Sequence, residues 1–123
     1  MKSSIQDLPV ALEISQAVSR QVEWGGMAVG VVEVRQNLDA APLLKGLPDD
    51  RCQLPHWGYV IKGRFRCKFA DHEEVYNAGD VYFIPPGHTP VLEEGLVYVE
   101  FSPAEEVAKQ SEVIGRNLQA MLA

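Results

Sequence analysis

The stretch PHWGYVIKG, residues 55–63, sets an imidazole at the head of a run that reads as a strand entering a tight turn. His56 in that place either meets a ligand or merely packs. An imidazole can move a proton near neutral pH or give a lone pair to a metal. Four residues earlier, in a polar loop, stands Cys52, whose thiolate would be a metal ligand. Other chemistries lack their signatures, because the chain has no Gly-rich phosphate loop, no dinucleotide fingerprint and no nucleophile elbow. His72, in the polar run DHEE, reads as an exposed loop residue.

Period-two patterning dominates the elements that would position His56. In RFRCKFA, Phe65, Cys67 and Phe69 face one way and Arg64, Arg66 and Lys68 the other. Cys67 thus reads as a small core hydrophobe, and the basic residues as a solvated strand face. AVSRQVEW sets Val18, Val22 and Trp24 against Ser19, Gln21 and Glu23, and the Gly25-Gly26 pair after it is a hairpin signal. Further short β runs follow, broken at Asn77–Asp80, Pro85–Gly87 and Glu93–Gly95. This spacing predicts an all-β barrel or sandwich. On the strand of His56, Gly58 shares its parity and would leave space beside the ring. Trp57 and Tyr59 fall on the other face as packing residues.

Two segments break the pattern. Residues 36–55 look irregular but carry Leu43, Leu44 and Leu47, which should bury against something. A lid over the barrel, a packed flap and a dimer contact are all open readings. The end of the chain reads as a helix over about 103–122, with Ser102 as N-cap, Pro103 at the first position and Glu105 completing a capping box. Val107, Ile114, Leu118, Met121 and Leu122 share one helix face, which either packs on its own domain or takes a partner.

A chain of 123 residues suits a single domain, here residues 1–123 with a core barrel over about 10–101. Its 46% apolar and 23% charged residues argue against disorder. A net charge of −6 provides no basic footprint for nucleic acid or anionic membrane. No apolar run reaches membrane-spanning length, and the first residues lack the apolar core of a signal peptide. A cytoplasmic protein with two free thiols is expected.

The segment GDVYFIPPGHTPV resembles the second sequence motif of the cupin superfamily, G-x5-P-x-G-x2-H. Gly79, Pro85 and Gly87 fit, and Pro90 stands where the histidine belongs. HWGYVIKG resembles the end of the first motif, H-x-H-x(3–4)-E-x6-G, with His56 at the glutamate position and Gly63 at the glycine. The likeness covers about residues 50–101 and implies a single-domain, double-sheet jelly-roll barrel. Typical members bind a divalent metal through three histidines and one glutamate. Here those four places hold Asp50, Cys52, His56 and Pro90, so the chain departs from the pattern at each one. His88, two residues before Pro90, would keep the same face of an extended segment. Asp50, Cys52 and His56 share parity where the loop is extended, so the residues themselves offer a pocket of Cys52, His56, Gly58 and His88, either metal-free or with a metal on His56, His88 and Cys52 and Asp50 as an optional further ligand. Thiolate and imidazole together favour zinc or a similar borderline metal such as iron, manganese or nickel.

Two functions compete on these residues. One is a binding or sensing module that holds a small molecule in the barrel, with or without the metal. The other is an enzyme, either metal-dependent of dioxygenase, isomerase or hydrolase type using His56 and His88, or metal-free with His56 as general base and Asp50 or Glu100 as the candidate acid/base partners. A homodimer is expected under either.

Overall fold

The computed structural model describes residues 1–122. In chain order the strands are β1 (Val10–Glu13), β2 (Ala17–Trp24), β3 (Met27–Val34), β4 (Leu38–Asp39), β5 (His56–Lys62), β6 (Arg64–Lys68), β7 (Glu73–Asn77), β8 (Val81–Ile84), β9 (Thr89–Leu92) and β10 (Val97–Pro103). A one-turn helix, α1 (Ala41–Leu44), follows β4, and a long helix, α2 (Ala104–Leu122), ends the chain. The strands form two antiparallel sheets, one in the order β1-β2-β3-β10-β5-β8 and one in the order β4-β9-β6-β7. This is the two-sheet jelly roll that the short alternating runs predict. Gly25 and Gly26 both take positive φ in the β2–β3 turn, a conformation that matches the twist of the flanking strands and penalises a side chain.

The core sits toward one end of the barrel. Phe65 stacks on Tyr76 at 4.7 Å and on Tyr98 at 5.1 Å, with Tyr82 edge-on at 5.5 Å. Cys67, Val60, Ile84 and Leu96 close around this aromatic plug. Arg64 and Arg66 lie on the opposite face of β6 and pair with Glu93 and Glu73 at the surface, contacts worth at most about 1 kcal/mol each.

The other end is covered by helices. Leu44 buries with Ala40, Cys52 and Leu54, and Leu47 and Val107 pack against them. The Asn117 amide donates to the carbonyls of Leu43 and Lys45, each at 2.8 Å. Residues 36–55 are therefore not irregular throughout, since they hold β4, α1 and a 3-10 turn at Pro48–Asp50. Their leucines pack against the chain's own helix. The buried line of α2 is centred on Gln110, with Val107 and Ile114 half-buried beside it, while Met121 and Leu122 are exposed. The expected capping box does not form. The β10–β3 register continues through Pro103, so Ser102 is a strand residue on the inner face and its hydroxyl is engaged elsewhere.

The large sheet also fixes which faces of β2 and β5 point inward. Ser19 and Gln21 face the barrel's cavities, so the polar side of β2 points inward. Trp57 and Tyr59 lie on the outer face of the sheet, 45% and 41% exposed, and Trp57 packs against Phe83 at 5.1 Å between ring centroids.

One row across the large sheet explains Gly58. Gln21, Gly30, Glu100, Gly58 and Tyr82 are successive register partners on β2, β3, β10, β5 and β8. The Tyr82 side chain crosses over Gly58, and its hydroxyl donates to Glu100 Oε1 at 2.8 Å. A β-carbon at Gly58 would lie 2.4 Å from the tyrosine ring and 2.6 Å from the Val99 carbonyl oxygen. The space beside Gly58 is thus filled by Tyr82 and is no part of a pocket. Gly58→Ala should cost about 1–3 kcal/mol, since the ring can swing away but the Val99 backbone cannot. Urea denaturation of the two proteins checks this, and unchanged stability would contradict the packing described.

Candidate functional site

Three buried donors converge beneath the helical cover. Cys52 lies in the loop before β5, His56 is the first residue of β5, and His88 immediately precedes β9. The loop is pinned by backbone. Cys52 N–H donates to the His88 carbonyl at 2.8 Å, and Gly87 N–H donates to the Cys52 carbonyl at 2.8 Å. His56 and His88 meet edge to face at 5.0 Å between centroids. Cys52 Sγ is 3.7 Å from His56 Nε2, and each residue offers a ligand atom within 4.8 Å of the others.

The rings are oriented by their far nitrogens. His88 Nδ1 donates to the Pro85 carbonyl at 2.9 Å. A carbonyl can only accept, so Nδ1 carries the hydrogen and Nε2 keeps its lone pair. His56 Nδ1 lies 2.6 Å from Ser102 Oγ and 3.3 Å from Glu100 Oε2, which holds that ring with Nε2 toward Cys52. Histidines that ligate metals are oriented in this way, by an acceptor on the nitrogen that does not bind. Zn–S and Zn–N bonds meeting at a tetrahedral angle put the two donor atoms about 3.5 Å apart, close to the observed Cys52–His56 separation. The donor set therefore fits a borderline divalent metal.

Asp50, offered as a further ligand, lies outside this cluster. Asp49 and Asp50 take positive φ in the 3-10 turn, so the parity that relates Cys52 to His56 stops there. The exposed Asp50 carboxylate accepts from Gly46 N–H instead. Two residues at the site carry no motif that would have found them. Gln110 of α2, buried within an apolar stripe, donates from Nε2 to Cys52 Sγ at 3.3 Å and accepts from Gln53 N–H at 3.2 Å. Ser102 supplies the hydroxyl beside His56. Glu100, considered as an acid/base partner, does reach His56, with its side chain 19% exposed.

Two cavities meet at His56. One, of about 180 Å³, is bordered by Gln21, Glu100 and Ser102. The other, of about 240 Å³, is bordered mainly by aliphatic side chains, with Cys52 and Gln110 at one end.

Burial sets the charges. It lowers the His56 imidazole from its usual 6.5 to about 3, helped by neighbouring His88, and lowers His88 as well. It raises the Cys52 thiol. It raises the Glu100 carboxyl from 4.5 to about 7 against the pull of the Tyr82 hydrogen bond. His56 and Glu100 at 3.3 Å are therefore a neutral imidazole beside a carboxyl group, and not an ion pair, across the acid range.

These shifts act oppositely on stability. The raised Glu100 contributes stability that is present below 4.5 and lost as pH rises through about 7. The depressed His56 contributes stability that is present above 6.5 and lost as pH falls through about 3. Between 4.5 and 6.5 the folded chain holds one proton on Glu100 and the unfolded chain holds one on His56, so the two slopes offset. In metal-free Glu100→Gln protein the offset is gone. Its stability relative to the parent should climb by about 1.4 kcal/mol per pH unit across that window, with the His88 contribution common to both and cancelling. Urea titrations at a series of pH values check this, and parallel curves would contradict it.

No known family's sequence model matches the chain, and no curated protein does. Solved structures do. A protein of unknown function from Rhizobium leguminosarum superposes with a TM-score of 0.58 at 18% identity, over 83% of this chain and 94% of that one. An RmlC-like cupin from Shewanella frigidimarina gives 0.58 at 17%, over 83% and 89%. A variant of Bacillus subtilis oxalate decarboxylase gives 0.59 at 18% over 82% of this chain, which spans only 28% of that protein. These likenesses coincide with the two-sheet topology above, and the chain has the cupin fold.

Proposed function

We propose that this chain is a small cupin-fold binding protein that holds a zinc-like divalent metal on Cys52, His56 and His88 and uses it to retain a small molecule in the barrel. The observation that carries this reading is the meeting of one thiol and two correctly oriented imidazoles, all buried, from three separate segments. A bound metal would supply a Lewis-acidic centre for a ligand's head group. His56 and His88 would hold it through Nε2, Ser102 and the Pro85 carbonyl would keep the rings aimed, and Gln110 would steady the sulfur. Both cysteines are free, which suits a reducing compartment such as the cytoplasm.

The test is calorimetric titration of EDTA-dialysed protein with zinc. Cys52→Ala and His88→Ala should each weaken binding by about a hundredfold or more, and Ser102→Ala by about tenfold. Affinity should rise by about tenfold per pH unit below the thiol's own titration, because Cys52 must release its proton to bind. Zinc uptake unaffected by either ligand substitution would overturn the reading.

We also infer that the protein pairs with a second copy through the outer face of its large sheet. Phe101, Trp57 and Phe83 form one exposed row, and half-buried Val99 with exposed Tyr59 and Val81 forms the next, ending at β8, the last strand of the sheet. Trp57, Phe83, Tyr59 and Val81 are 45%, 49%, 41% and 80% exposed, a contiguous apolar patch of the kind that marks an interaction surface. Stacking this face on its own copy about a two-fold axis would bury the same outward-facing residues against one another. Light scattering at micromolar concentration should give a dimer mass, and Phe83→Asp should give a monomer. A monomer in the parent protein would contradict the pairing.

A further inference from the structure

We infer that the larger cavity takes a small molecule with one aromatic ring, or a branched aliphatic body of similar size, carrying a single anionic head group directed at the Cys52–His56–His88 cluster. This rests on the metal reading above and names the class of molecule that would reach the metal.

The body of the ligand follows from the cavity walls. Leu12, Val32, Leu38, Leu92 and Ile114 come from both sheets and from α2, so the space is enclosed by aliphatic groups on several sides. Its size sets the scale. An apolar cavity of about 150 Å³ takes benzene, and about 240 Å³ leaves room for a ring and a short substituent.

The head group follows from the polar end. Cys52, His56 and Gln110 border the same cavity. Gln110 is already committed to Cys52 and Gln53. Among the described residues no lysine or arginine borders the cavity, so these residues supply no cation there to balance an acid. A divalent metal on the cluster would be the one positive charge available. Glu100 borders the other cavity, across His56, and so does not stand in the path of an anion entering from the aliphatic side.

Calorimetry on the full chain tests this with two probes, benzoate and benzyl alcohol, against zinc-loaded and EDTA-treated protein. Benzyl alcohol should bind both forms within about twofold, and benzoate should bind the zinc form at least about tenfold more tightly than the metal-free form. Ala17→Leu, which extends a side chain into the cavity from β2, should weaken both probes by about tenfold while leaving zinc affinity unchanged. In unmodified, zinc-loaded protein, benzoate ring protons should show nuclear Overhauser contacts with Val32 and Leu92 methyl groups, a readout that needs no variant. Zinc uptake with neither probe bound overturns the ligand class and leaves the metal reading standing. Equal benzoate affinity in the two forms overturns the head-group assignment. Absence of zinc binding overturns the metal reading and the head-group assignment with it.

Discussion

The candidate site depends on one short backbone contact, the bridge between Cys52 and His88. Cys52 donates to the His88 carbonyl, and Gly87 returns a hydrogen bond to the Cys52 carbonyl. The loop before β5 is thereby tied to the turn before β9, so the thiol and the second imidazole are positioned together. His56 joins them because β5 starts there, with its first side chain inward. A buried loop must satisfy its backbone groups somewhere. Here the satisfaction of those groups also assembles three donors at one point.

Around this bridge the barrel divides its labour. One end is filled by Phe65 and three tyrosines packed ring against ring. The other end is left with cavities and covered by α1 and α2. Gln110 reaches from α2 to both the thiol and the loop backbone, so the helix is part of the site as well as its roof. Within it, burial keeps imidazoles and thiol neutral, which avoids the large cost of isolated buried charge. Lone pairs on imidazoles that are not protonated are the ones able to bind a metal.

Much of the fold was legible in local pattern. The alternation of Phe65 and Cys67 against Arg64 and Arg66, the paired glycines after Trp24 and the proline–glycine break before His88 each report a local rule, and the structure obeys them. Parity also put Cys52, His56 and His88 on one side, and they do meet. It failed at Asp50, because two positive-φ residues reset the direction of the chain, and positive φ at aspartate leaves no reliable mark in one sequence. It misled at Gly58, where the missing β-carbon makes way for a tyrosine from the neighbouring strand. Ser19, Gln21, Ser102 and Gln110 were illegible for a shared reason. Each is a polar residue on a strand or helix face whose inward direction is decided by tertiary packing.

The central claim is that one sulfur and two nitrogens can bind the same metal ion in this barrel. X-ray absorption at the zinc edge on metal-loaded protein tests it most directly. The account predicts one sulfur at about 2.3 Å and at least two nitrogens at about 2.0 Å, with the sulfur lost in Cys52→Ala. A shell of oxygens alone, or a sulfur signal that survives that substitution, would contradict it.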